Sequence, residues 1–199
     1  MLMSYILDTP PGFSVRPEPI NPNLTTGTWL TEADSCAALD HAIAMSGLWR
    51  SYSEVDGCPT SFSPTDERKN YRIDRVLMPT DEAVGLGWNF GPIGIECKRS
   101  GTKIGRPIAQ MLDYRKAFWK PDGFKAWFAV DWVFLFPSAT QHGPLASVMS
   151  QNRVGTVDIN TGGGLTFMTA AHMLARTSTD GCHEIRPGSN VIGRKVGSR

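Results

Sequence analysis

The sequence predicts an α/β domain, a mixed sheet flanked by helices, and three observations predict it. Helical and strand periodicities succeed one another in the order helix, strand, strand, strand, helix, strand between residues 31 and 136. The last of these, residues 126–136, is dense in Trp, Phe and Val and reads as a buried central strand. The chain has 199 residues, 41% apolar and 20% charged, which is the composition of an ordinary globular protein and enough length for one core without disulfide staples.

Residues 1–28 are rich in Pro, Asn and Thr without a period, so an irregular arm is expected there. Thr31-Glu32-Ala33-Asp34 has the form of a capping box ahead of an Ala-rich stretch. The helix it opens runs to about residue 45, and Gly47 supplies the stop. Residues 48–55 alternate as a strand. A polar loop holding two prolines, 57–69, leads to a second strand over 71–78, ended by Pro79. Residues 81–89 have turn character, and 92–98 alternate again as a third strand. Gly105 and Pro107 open the next helix, because a first-turn proline gives up no hydrogen bond. Its apolar stripe of Ile108, Met111, Leu112, Phe118 and Trp119 extends it to residue 119. Pro121-Asp122-Gly123 then turns the chain into the aromatic strand 126–136, closed by Pro137.

Beyond this core a C-terminal helix-hairpin extension is expected over 137–176. It comprises a short helix at 145–152 and strands 155–159 and 165–169 about a Gly-rich turn. From 177 the chain is polar with a basic end, Arg194, Lys195 and Arg199, and reads as a flexible tail. All 199 residues are taken as a single domain.

Several classes are excluded. No apolar run approaches the ~20 residues of a membrane span, and the start lacks the basic and apolar regions of a secretory signal. A cytoplasmic enzyme is therefore expected. The cysteines at 36, 58, 97 and 182 form no CxxC pair, which argues for free thiols over a closed zinc site. Charge is uneven. Residues 1–97 carry six Lys/Arg against thirteen Asp/Glu, whereas 98–125 carry eight basic residues against Asp113 and Asp122. Such a basic segment can meet a polyanion, although most charge runs are simply solvated helix faces.

The third strand carries the chemistry. Ile93, Ile95 and Cys97 point to one face, Gly94, Glu96 and Lys98 to the other. Glu96 and Lys98 thus stand about 7 Å apart along one face. Burying either charge unpaired is expensive. A divalent cation is one solution, with Glu96 as a ligand and Asp74 of the preceding strand as a second carboxylate. That arrangement suits phosphodiester hydrolysis by a hard ion such as Mg2+. Lys98 would position or help deprotonate the attacking water and meet developing negative charge.

Asp74 followed by Ile95-Glu96-Cys97-Lys98 resembles the Asp…(Asp/Glu)-x-Lys signature of the PD-(D/E)XK nucleases. The helix, three strands, helix, strand order resembles their restriction endonuclease-like core, over residues 31–136. Gln110 and Tyr114 resemble the Gln-x-x-x-Tyr motif of the RecB-like branch, which includes exonucleases related to the phage lambda enzyme. Ile73 stands where many members have Pro.

The resemblance implies a DNA nuclease acting in recombination, repair or phage replication, on duplex or single-stranded DNA, alone or as a homo-oligomer. Mg2+ or Mn2+ would bind Asp74, Glu96 and the Cys97 backbone carbonyl, with Lys98, Gln110 and Tyr114 completing the catalytic set. The branch often adds a His or Glu from the first helix. His41 is the candidate, with Asp40 and Glu32 behind it, since Glu32 is already favoured by the helix dipole. An iron–sulfur cluster is not expected, because only Cys182 lies downstream of the core. Lys103, Arg106, Lys116 and Arg153 are the candidate DNA contacts, of the kind that position a backbone without reading bases. Trp127, Phe128, Trp132, Phe134 and Phe136 fit core packing better than base stacking. Two alternatives share these residues: an endonuclease, either a Holliday junction resolvase or restriction-type, and a non-catalytic nucleic-acid-binding module.

Overall fold

The computed structural model describes residues 28–59, 71–138, 144–169 and 173–177. The expected arm (1–28) and tail (177–199) lie almost wholly outside the described residues, as do Cys182 and most of the loop 57–69.

Helix α1, Glu32–Ser46, begins with the capping box. The Asp34 N–H donates to Thr31 Oγ1 at 3.1 Å, and the Asp34 carboxylate accepts the Thr31 N–H at 3.0 Å. Gly47, at φ 65°, ends it in the left-handed conformation that costs glycine little. Strands β1, Trp49–Pro59, and β2, Tyr71–Pro79, pair antiparallel. The segment expected to turn contains one short helix, α2, Asp81–Gly85, capped by the Thr80 hydroxyl. Strand β3, Ile93–Cys97, and helix α3, Gly105–Tyr114, follow. Next come β4, Ala117–Trp119, β5, Phe128–Ala129, and β6, Trp132–Phe136. Helix α4, Pro144–Gln151, precedes β7, Val154–Ile159, β8, Leu165–Met168, and β9, Met173–Arg176.

The nine strands form one sheet in the order β5-β4-β1-β2-β3-β6-β7-β8-β9. The β3–β6 and β6–β7 pairs are parallel and the rest antiparallel, so the fold is α/β on a mixed sheet. Leu39 and Ile43 of α1 pack over Leu77, Ile93, Ile95, Phe134 and Phe136 on one face. Ile108, Met111 and Tyr114 of α3, with Met149 of α4, cover Val76, Val133, Leu135 and Val154 on the other. Every residue of β3 and β6 is buried, as expected of strands covered on both faces. One of those ten positions is Glu96.

Two expectations are corrected. The helix expected to reach residue 119 stops at Tyr114, where the Lys116 N–H turns to the Asp113 carbonyl at 3.0 Å. Phe118 and Trp119 belong to β4, which pairs with β1. The Trp119 ring lies over Gly57, where a Cβ would come within 2.5 Å of it, so a glycine in β1 makes room for this strand. The expected strand 126–136 is two strands on different parts of the sheet. Between them Asp131 bends the chain, its N–H donating to the Pro92 carbonyl at 2.7 Å and its carboxylate accepting the Gly91 N–H at 2.6 Å. The β7–β8 hairpin is present, its turn held by Asn160 Oδ1, and β9 extends it. Among the described residues no helix is long and apolar enough to cross a membrane. Cys36, Cys58 and Cys97 are free thiols.

Candidate active site

Strands β2 and β3 pair antiparallel from Leu77–Ile93 to Arg75–Ile95. Past that point a side chain replaces the backbone partner. The Cys97 N–H donates to Asp74 Oδ2 at 2.6 Å, so the carboxylate sits where the two strands part. Arg75 steadies the strand here. Its Nη1 donates to the Asp74 carbonyl at 2.6 Å, while Nε and Nη2 grip Asp40 of α1 at 2.6 Å each.

Alternation turns Glu96 to the α3 side of β3, where its side chain is 4% exposed. Oε1 accepts from Lys98 Nζ at 2.6 Å and from Gln110 Nε2 at 2.8 Å. Oε2 is buried and has no hydrogen-bond partner among the described residues. Gln110 and Tyr114, one turn apart on α3, share a face. Gln110 Nε2 donates to the Tyr114 hydroxyl at 2.5 Å, which donates to the Arg72 carbonyl at 2.5 Å. The Tyr114 ring is wedged edge-on between Tyr71 and Trp119. A continuous chain of bonds thus runs from β2 through α3 to Glu96.

The first helix contributes Glu32, whose carboxylate lies 3.5 Å from Lys98 Nζ. Asp34 performs the capping, which leaves Glu32 free to face the strand. Ser35 Oγ donates to the Lys98 carbonyl at 2.8 Å, and the Ser100 N–H to the Trp29 carbonyl at 2.9 Å, so the start of α1 is fastened to the end of β3. His41 comes nine residues after Glu32, about 13 Å further along the axis and on the other side of the helix. It is not brought to the cluster, and its buried Nδ1 has no partner among the described residues. Asp40 is committed to Arg75.

Electrostatics follow from burial. Glu96 is pushed up to about 7, first by desolvation and then by the charge of Asp74, against the pull of Lys98. Asp74 is raised by desolvation, opposed by the Cys97 N–H and by Lys98. For Lys98, burial works to lower the pKa, but the bond to Glu96 and the charges of Glu96, Glu32 and Asp74 outweigh it and raise it. Tyr114 is pushed up to about 12 by burial, with Glu96 adding to the effect. Three carboxylates therefore share one ammonium. Another cation would relieve them.

Lys103, Arg106 and Lys116 are exposed around α3. Arg153, at φ 55°, is also exposed, with its guanidinium 3.7 Å from the Asp131 carboxylate. Trp132, Phe134 and Phe136 are core residues, whereas Trp127 and Phe128 are half-buried. Residue spacing had pointed to Asp74, Glu96, Lys98, Gln110 and Tyr114. It did not single out the approach of Glu32 or the Asp40–Arg75 clamp, because both depend on which side of α1 faces the sheet. Compared with known proteins, the chain matches no family model, no curated protein and no solved structure.

Proposed function

We propose that the protein is a metal-dependent deoxyribonuclease of the PD-(D/E)XK class, built on a restriction endonuclease-like core and belonging to the RecB-like exonuclease branch. One observation carries this reading. Glu96 Oε2 is a buried carboxylate oxygen without a hydrogen-bond partner among the described residues, on a side chain whose other oxygen is doubly held. An unmet buried charge is costly, and a cation at Oε2 would relieve it.

Asp74, Glu96 and the Cys97 carbonyl would supply an all-oxygen donor set, which suits a hard ion, Mg2+ or Mn2+. Bound there, such an ion would lower the pKa of a water and neutralise charge on the phosphate. The chain's own residues do the rest. Lys98 is held within reach of the same carboxylate, where it orients the attacking water and meets charge building on the phosphate. Gln110 keeps Glu96 in one rotamer, and Tyr114 keeps Gln110 in place. Lys103, Arg106 and Lys116, exposed on and around α3, would hold the phosphate backbone.

The test is incubation of the protein with linear duplex, single-stranded and closed circular DNA, with Mg2+, Mn2+ or chelator. Metal-dependent degradation of linear DNA that spares closed circles is expected. Nicking of closed circles would assign an endonuclease. Absence of cutting on all substrates, or cutting that survives Lys98→Ala, overturns the catalytic reading.

A further inference from the structure

On the α1 side of β3 a second donor set adjoins the first. Cys36 Sγ, Cys97 Sγ and an Asp74 carboxylate oxygen all lie within 4.8 Å of one another. We infer that Cys36, Cys97 and Asp74 form a binding site for a thiophilic divalent cation, Zn2+ or Cd2+, distinct from the hard-ion centre at Glu96.

Geometry supports it first. With Zn–S near 2.3 Å, a tetrahedral site sets its donors about 3.8 Å apart, so no pair here needs to close by more than about 1 Å. All three donors are held by rigid elements. Cys36 follows Ser35 on α1, whose hydroxyl is bonded to the Lys98 carbonyl. Cys97 lies within β3, and its N–H fixes the Asp74 carboxylate. Cys97 is fully buried, while Cys36 and Asp74 are half-buried and give the set its exposure to solvent.

Chemistry supports it second. Two sulfurs and one oxygen prefer a borderline-soft ion, whereas the Asp74–Glu96 set, all oxygen, prefers a hard one. On binding, two S–H bonds are exchanged for two sulfur–metal bonds, and two protons pass to solvent. The ion's two positive charges meet two thiolates and one carboxylate, which leaves the set one negative charge beside the Arg75–Asp40 pair. Because Glu96 and Cys97 occupy opposite faces of β3, the two sites differ in every side chain except Asp74.

The experiment is a Co2+ titration of the reduced full-length protein, read by thiolate-to-cobalt charge-transfer absorption in the near ultraviolet. The band is expected to saturate at one equivalent, to be bleached by Zn2+ and to ignore excess Mg2+. Cys36→Ser and Cys97→Ser lose it; Cys58→Ser and Glu96→Gln keep it. Cys36 is half-buried, so its replacement carries the test even where Cys97→Ser fails to fold. Glu96→Gln separates the two sites, since it removes the proposed hydrolytic ligand and leaves both sulfurs. No band in the reduced protein, a band surviving Cys36→Ser, or a band lost with Cys58→Ser or Glu96→Gln overturns the inference.

Discussion

Lys98 Nζ and Glu96 Oε1 lie 2.6 Å apart in a setting where the glutamate is buried and the lysine is 17% exposed. The contact neutralises the carboxylate while engaging only one of its oxygens. A buried pair of this kind is weak evidence for stability in itself, because desolvation cancels much of the attraction. Its value lies in holding an acceptor oxygen and an ammonium side by side, with Oε2 left without a hydrogen-bond partner among the described residues.

Lys98→Ala is expected to slow cutting by about a hundredfold to a thousandfold, the usual loss when one preorganised charge-stabilising donor is removed. Binding of DNA, measured by fluorescence anisotropy with Ca2+ in place of Mg2+, should change little. An equal loss of both would make Lys98 a phosphate contact and nothing more.

The metal-free protein should lose stability as pH rises. Glu96 titrates near 7 when folded, against 4.5 for the free side chain, so the folded state holds the proton more tightly. Its contribution is full below the unfolded value and is lost as pH climbs through about 7. Asp74 is shifted in the same direction and adds to the slope. Thermal melts in chelator across this range should show a falling Tm, and Glu96→Gln should flatten the curve. An identical slope in that variant would place the titrating group elsewhere.

Tyr114→Phe removes the hydroxyl that joins Gln110 to the Arg72 carbonyl. A cost of about 0.5–1.5 kcal/mol in urea denaturation is expected, the net worth of one part-buried hydrogen bond. Glu96 is then less firmly oriented, and the Mg2+ concentration for half-maximal cutting should rise by about tenfold or more. Excess Mg2+ restores the rate if the tyrosine acts through the ligand, and fails to if the hydroxyl itself takes part in the chemistry.

Gly94→Ala tests how the face beside Glu96 is filled. A Cβ at this position would stand 2.5 Å from Ile73 Cδ1, in a part of the core where Ile73 is fully buried. Overpacking of this kind costs about 1–3 kcal/mol. Ile73→Val in the same chain removes the clashing methyl and should recover most of the loss in urea denaturation.

Legibility from sequence tracked the range of the interactions. The bounds of α1 were readable because Thr31, Asp34 and Gly47 act within a few residues of the helix ends. The face shared by Glu96 and Lys98, and that shared by Gln110 and Tyr114, follow from strand and helix periods alone. The end of α3 was not readable. An apolar stripe of the right spacing ran on through Phe118 and Trp119, and the glycine at 57 that makes room for the Trp119 ring is far away in sequence. Residues 126–136 were misread as one element because both resulting strands are aromatic, and the break rests on Asp131 meeting residues 91 and 92. That the space over Gly94 is filled by Ile73 was not readable either, since Ile73 comes from another strand. The choice between Glu32 and His41 depended on how α1 rolls against the sheet, which the Ser35–Lys98 bond fixes.

Because the Cys97 amide is held by a carboxylate and not by a backbone carbonyl, the chain carries its own spectroscopic reporter. In an isotope-labelled sample the Cys97 amide resonance follows the charge and ligation of Asp74, while the Ile95 amide, inside the regular ladder, supplies a fixed reference. Any ion or phosphate that draws on that carboxylate announces itself at this one peak before a single bond in a substrate is cut.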